Sequence, residues 1–186
     1  MIHIRKARPE EAQALATLML HAMQDIVFYF IGEADTQKAH AFLTSLIRKP
    51  GNQYSYENIL VAEEDGILLG QLCCYPGAAI LQLRAPVLNV LANEYGHHID
   101  PALETQAGEV YVDSLAVSPL ARGKGIGKIL LLYAIDLYCK QQDGILGLLV
   151  DQENPRAKKL YLQIGFREVE QKNIFGKEML HLQYWA

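Results

Sequence analysis

Apolar and polar positions along the chain fall into blocks whose spacing switches between strand-like and helix-like periods. Ile2 to Ala7 alternates as a short strand does. Pro9-Glu10-Glu11 then opens a helix, with acidic residues in the first turn to complement the dipole. Ala14, Leu15, Leu18, Met19 and Ala22 mark one core stripe on that helix to about Gln24. The apolar cluster Val27 to Ile31, ended by Gly32, reads as a helix end or a loop that lines a substrate cleft, the loop being preferred. Thr36 to Lys49 predicts a second helix, with Ala39, Phe42, Leu43, Leu46 and Ile47 at helical spacing and Pro50-Gly51 as the stop. Gly51 to Ser55 is a polar connector. Asn58 to Glu64 and Ile67 to Tyr75 flank the turn Glu64-Asp65-Gly66 and predict a hairpin. Gly70 in the second arm marks a bulge or a close approach.

The stretch from Pro76 to Gly108 carries six Gly or Pro residues and one apolar piece, Val87 to Leu91. It reads as an insertion with a short helix near Val87 to Tyr95 that helps form an acceptor pocket. Glu109 to Val117 is rich in β-branched and aromatic residues and predicts a strand. Ile126 to Lys140 is apolar on nearly every face and predicts a buried helix. Gly144 to Val150, an unbroken apolar run, fits a central strand parallel to the one before that helix. Asn154 as N-cap, Pro155 at the first position and Gly165 past the end frame another helix, with Ala157, Leu160, Tyr161 and Ile164 on one face. Phe166 begins a strand, and Lys177 to Tyr184 is the last.

The chain has 186 residues and a formal charge of −4, so no polyanion partner such as nucleic acid is expected from bulk electrostatics. No signal peptide is recognisable, and no uninterrupted apolar run reaches the ~18 residues of a membrane span. Three cysteines, Cys73, Cys74 and Cys139, have no metal spacing and read as small core residues in a reducing compartment. A soluble, cytoplasmic protein with no metal is expected. His97 and His98, beside Asp100, read first as surface loop histidines, with a place in an acceptor site as the other reading.

The chemistry concentrates in the turn Arg122-Gly123-Lys124-Gly125-Ile126-Gly127-Lys128 between strand and helix. Unpaired amides at a helix start, with the positive end of its dipole, form a site for phosphate. Gly125 and Gly127 let a pyrophosphate approach the backbone. A P-loop does not fit, because Gly123 sits one residue too close to Gly127-Lys128 and Ile129 replaces the magnesium-binding hydroxyl. The even spacing of Gly123, Gly125 and Gly127 also departs from the dinucleotide fingerprint.

What remains is R-x-x-G-x-G, met by Arg122, Gly125 and Gly127. Downstream, Asn154, Ala157, Leu160-Tyr161, Gly165 and Phe166 match N-x-x-A-x-x-L-Y-x-x-x-G-F. With these two motifs in order the sequence resembles the GNAT superfamily of acyl-CoA-dependent N-acyltransferases. The resemblance implies one α/β (α+β) domain over residues 1–186. Its central sheet would be mixed and mostly antiparallel, with a splayed parallel strand pair and about four flanking helices. It implies acetyl-CoA as co-substrate. Backbone groups of Leu115, Ala116 and Val117 would pair with the pantetheine arm, and the amides of Arg122, Gly123, Lys124, Gly125, Ile126, Gly127 and Lys128 would hold the pyrophosphate. Asn154 would bond the pantetheine chain, Tyr161 would protonate the departing thiolate, and the Val117 N–H is a candidate oxyanion donor. Asp113 is the candidate base or amine-attracting group, with a salt bridge within the fold as the competing reading. By period two its side chain should share the face of Leu115, and Glu109 and Tyr111 are weaker candidates on that face. Leu149 stands where the peptide N-terminal acetyltransferases often carry Glu. The acceptor is expected to be a small-molecule amine, with a protein lysine or N-terminus still open. A non-catalytic acyl-CoA-binding module is the rival from another class. Superfamily members are often dimers, so a homodimer is a further expectation.

Overall fold

A computed structural model describes all 186 residues. β1 (His3–Lys6) leads through a 3-10 turn into α1 (Ala12–Ile31) and α2 (Thr36–Ile47). β2 (Ile59–Glu64) and β3 (Ile67–Pro76) form the expected hairpin, followed by α3 (Ile80–Glu94) and β4 (Val110–Val117). Then come α4 (Ile126–Ile135), β5 (Leu146–Asp151), α5 (Pro155–Ile164), β6 (Arg167–Ile174) and β7 (Lys177–Tyr184). The seven strands make one sheet in the order β1-β2-β3-β4-β5-β7-β6. Every neighbouring pair is antiparallel except β4 and β5. The mixed sheet is the expected one; five α-helices flank it, the addition being α3.

One core cluster packs α1, α2 and α3 on one face of the sheet, and a second packs α4 and α5 on the other. All three cysteines are buried and unpaired.

Two local expectations fail for identifiable reasons. Val27 to Ile31 is not a loop: α1 continues to Ile31 and ends at Gly32 in the left-handed conformation, φ 76°. The helix breaks at Met23 (φ −137°, ψ 27°), and beyond the break Val27, Phe30 and Ile31 form a fresh buried stripe at i, i+3, i+4. Pro9–Ile31 has the length and mean hydropathy, 1.5, of a membrane-crossing segment, and half of its most apolar window is buried within the domain. Second, α3 starts at Ile80 rather than Val87 and runs through Pro86, forfeiting one helical hydrogen bond.

Two of the three β-bulges bear on the site. Between Ala62 and Glu63 the β2–β3 register shifts opposite Leu69, next to Gly70. A Cβ on Gly70 would stand 2.8 Å from the carbonyl oxygen of Ala116, so this glycine permits a close approach of β3 to β4. The β3–β4 register shifts between Cys73 and Cys74, where Cys73 pairs with Ser114 and Cys74 with Val112, and Asp113 is the extra residue.

Candidate active site

Parallel pairing of β4 with β5 covers three residue pairs, Val110–Leu146 to Val112–Leu148. Beyond them the strands diverge and open a cleft of about 730 Å³. Its walls are Tyr111 to Val117 of β4, Leu148 to Asp151 of β5, and Leu20 to Ile26 around the break in α1. Asn154, Ala157 and Tyr161 line it from α5, and Phe175 and Lys177 from the β6–β7 hairpin.

The sequence candidates divide as follows. Asp113, Leu115, Ala116, Val117, Arg122, Asn154 and Tyr161 line this one cleft. Gly123 to Lys128 lie just beyond it at the start of α4. No side chain caps that helix, and its first internal bond runs from Ile129 N to Gly125 O at 3.0 Å. Of the amides from Gly123 to Lys128, that of Lys124 alone meets a backbone carbonyl, Ala121 O at 3.4 Å. The others are unpaired, as an anion-binding turn requires. Gly123 and Gly125 take positive φ, 79° and 76°. Ile126 is 1% exposed, so its side chain belongs to the core and its backbone alone faces the turn. Gly127 packs against the side chains of Val117 and Leu115, which fastens α4 to the strand beside the cleft.

Asn154 has two ends in different uses. Its Oδ1 accepts from the Ala157 amide at 3.1 Å and caps α5. Its Nδ2 has no protein partner. Tyr161 packs edge-on against Phe166 at 5.8 Å, and burial pushes its phenol up to about 12. It is therefore protonated at neutral pH.

Asp113 departs from the strand alternation. Leu115 packs toward α4, whereas Asp113 turns to the opposite face, because Asp113 is itself the extra residue of the bulge. There Tyr75 Oη donates to its Oδ2 at 2.6 Å and Gln53 Nε2 donates to the same oxygen at 2.8 Å. Burial, then the charge of Glu104, raise its carboxyl to about 6, and the hydrogen bonds from Tyr75 and Gln53 and the charge of Arg84 pull it partway back. Asp113 makes no salt bridge; its direct partners are the neutral Tyr75 and Gln53.

Glu109 is not at the cleft. Its carboxylate accepts from Thr105 at 3.0 Å, His181 at 2.8 Å and Gln183 at 2.7 Å. Burial pushes it up, but the His181 and Gln183 bonds outweigh this and hold it below the usual carboxylate range. Tyr111 lines the cleft; His97 and His98 do not. His97 instead lies over Gly32, where a Cβ would come 3.0 Å from its ring. No residue of 76–108 lines the cleft either, so that segment acts on the site only at second hand.

Sequence reasoning missed Tyr75, Gln53, Arg84 and Glu104 around Asp113, and Asp25, Phe175 and Lys177 at the rim. Lys177 Nζ sits between Asp25 (3.5 Å) and Asp151 (3.3 Å). The bulge that aims Asp113 at its partners has no signature in a single sequence, and Gln53 falls in a connector that reads only as polar.

A mixed sheet opened between one parallel pair, beside a helix start with free amides, sets an anion-binding turn next to a gap in the sheet. The chain belongs to the acetyltransferase (GNAT) family, whose model matches residues 18–166, and it is an acyltransferase. It is 27% identical over 168 residues to the uncharacterised N-acetyltransferase YhfO of Bacillus subtilis, covering 90% of this chain and 91% of that one. It is 42% identical over 69 residues to mycothiol acetyltransferase of Renibacterium salmoninarum; that match spans 37% of this chain and 20% of the relative. A solved acetyltransferase superposes with a TM-score of 0.81 at 30% identity, covering 98% of both chains. The family uses acetyl-CoA as co-substrate.

Proposed function

We propose that the protein transfers an acetyl group from acetyl-CoA to a primary amine of a small cationic molecule, by direct attack within a ternary complex. The observation that carries this reading is the position of Asp113: a half-buried carboxylate with a raised proton affinity, lining the same cleft as Tyr161 and the diverged strands.

In this reading the free amides of Gly123 to Lys128 hold the pyrophosphate, assisted by Arg122, Lys124 and Lys128. None of these three cations is engaged in an ion pair. The unused Nδ2 of Asn154 donates to the pantetheine chain, and backbone groups of Leu115 to Val117 pair with it as an added strand would. The amine loses its proton to Asp113 and attacks the thioester carbonyl. A C–N bond forms, and the oxyanion is met by the Val117 N–H. The C–S bond then breaks, Tyr161, still protonated, gives its proton to the leaving thiolate, and the surplus proton on the acylated nitrogen restores the phenol.

A small cationic acceptor is supported by the walls of the cleft. Asp113 lines it without a cationic partner, Asp25 and Asp151 share the single Lys177, and about 730 Å³ is within the range of small-molecule sites. Leu20–Ile26 and Phe175 close the side opposite the carrier, which suits a compact substrate better than a folded protein surface.

The test is a panel of amines assayed for coenzyme A release, with wild type beside Asp113→Ala. The reading expects turnover with at least one small cationic amine and a large loss in the variant. Turnover confined to peptide N-termini, or none with any amine while acetyl-CoA still binds, would overturn it.

A further inference from the structure

The strap that follows α3 reaches the active-site carboxylate without lining the cleft. Its middle is pinned across the end of β3: a Cβ on Gly77 would fall 2.0 Å from Gln106 O and 2.4 Å from Thr105 Oγ1. This places Glu104, 3% exposed, against Arg84 of α3, 2% exposed, with Arg84 Nη2 donating to Glu104 Oε1 at 2.5 Å. Arg84 Nε also donates to Gln53 Oε1 at 3.2 Å. A guanidinium has only donors, so it settles which way the Gln53 amide points. Gln53 Nε2 must face away from Arg84, and it donates both to Glu104 Oε1 (3.2 Å) and to Asp113 Oδ2 (2.8 Å). Glu104 Oε2 is buried with no partner, so the charge of this carboxylate is not fully met by its surroundings.

We infer that Glu104 and Gln53 are positioning residues for Asp113: the strap, through one oriented amide, aims this carboxylate into the cleft and sets how tightly it holds a proton. The inference rests on the reading of Asp113 as proton acceptor. The groups around Asp113 act with different signs. Tyr75 from β3 and Gln53 from the connector donate to its ionised form, and Arg84 from α3 favours that form by charge. Glu104 opposes it. Tyr54, Tyr111 and Cys73 are packed close and protonated, their own ionisation pushed well up by burial. Across the cleft stand His21 and Asp25 of α1, Asp151 of β5 and Lys177 of β7. A shared donor joins Glu104 and no other carboxylate to Asp113.

The test is a pH titration of the Asp113 carboxyl carbon by NMR in the ligand-free protein, with Asp113→Asn identifying the signal. The midpoint should lie near 6 in wild type. It should fall by roughly one pH unit in Glu104→Gln and rise by roughly one in Gln53→Leu and Tyr75→Phe. Glu104→Asp should restore most of the wild-type value. Opposite shifts from neighbouring buried residues are a signature that loss of packing does not produce. An unmoved midpoint in Glu104→Gln, or shifts of one sign in all variants, would overturn the inference. If Glu104→Gln does not fold, the pair Gln53→Leu and Tyr75→Phe decides: upward shifts support it and a fixed midpoint overturns it. The pH–rate profiles of the same variants separate the two claims. Midpoints that move as expected while the acid limb of acetyl transfer stays fixed uphold the positioning and sink the role of Asp113 as base.

Discussion

Tyr75 and Asp113 meet across the β3–β4 seam, the phenol donating to the carboxylate over 2.6 Å beside a bulge that leaves Asp113 without a cross-strand partner. The contact keeps a charged oxygen from being lost in the apolar interior and fixes the carboxyl with Oδ2 toward Tyr75 and Gln53. Charge-assisted bonds of this length are among the stronger ones in a protein.

Asp113→Asn keeps both hydrogen-bond donors satisfied but cannot accept a proton. We expect kcat/KM to fall by about two to four orders of magnitude, the acid limb near pH 6 to vanish, and the dissociation constant for acetyl-CoA to stay within about twofold. Stability moves the other way. The folded carboxyl holds its proton to about 6 against an ordinary 3.8. Its contribution is therefore fully present below 3.8 and lost as pH rises through 6. Above pH 7 the variant should melt higher than wild type, and the gap should close toward pH 4. A wild type that stays the more stable across that range would contradict the placement of Asp113.

Tyr161→Phe should lower kcat by about a hundredfold while calorimetry finds acetyl-CoA binding unchanged. The phenol, pushed up to about 12 by burial, carries its proton throughout the working range. Wild type should accordingly show no basic limb from this group below about pH 11. Full activity in the variant would remove Tyr161 from the chemistry.

His181 is fully buried and donates to Glu109, whose carboxylate has no route to solvent. His181→Ala leaves that carboxylate short of a donor, and we expect about 3 kcal/mol less stability in urea unfolding. The pH–rate profile, once normalised, should be unaltered, because Glu109 stands outside the cleft. A shifted profile would bring Glu109 back as a participant.

Gly70→Ala tests the close approach of β3 and β4. Its methyl would meet the Ala116 carbonyl at 2.8 Å, backbone that cannot move aside cheaply. A loss of about 1–3 kcal/mol together with weaker acetyl-CoA binding is expected, since Ala116 lies on the cleft wall. Unchanged binding would mean the strand can shift without disturbing the site.

Much of this was legible in the residues because the informative ones act locally. Gly123 and Gly125 need positive φ, Asn154 caps the helix it precedes, and Gly165 ends it; each signal lives within one turn of chain. The apolar run from Gly144 to Val150 likewise announces a strand covered on both faces, which begins at Leu146. What stayed hidden depends on partners far apart in sequence. Asp113 was expected on the face of Leu115, and one unpaired residue in β4 reversed it. Val27 to Ile31 looked like a loop because the break at Met23 resets the helical stripe. Gln53, Arg84 and Glu104 come together only once the strap has crossed Gly77.

At its closed end the parallel seam is held by a side chain. Glu109 reaches over β5 to grip β7, through space that exists because Gly147 has no Cβ, which would stand 2.0 Å from the carboxylate. Three residue pairs, the bond from Val110 N to Ile145 O and this buckle join the two halves of the sheet along that line. The molecule is thus built like a clothes peg, pivoted at Glu109 and parted at the jaws. Whatever occupies the jaws would tie the halves together, so protection of β4 and β5 amides against hydrogen exchange should rise with cargo bound, and most at the end farthest from the pivot.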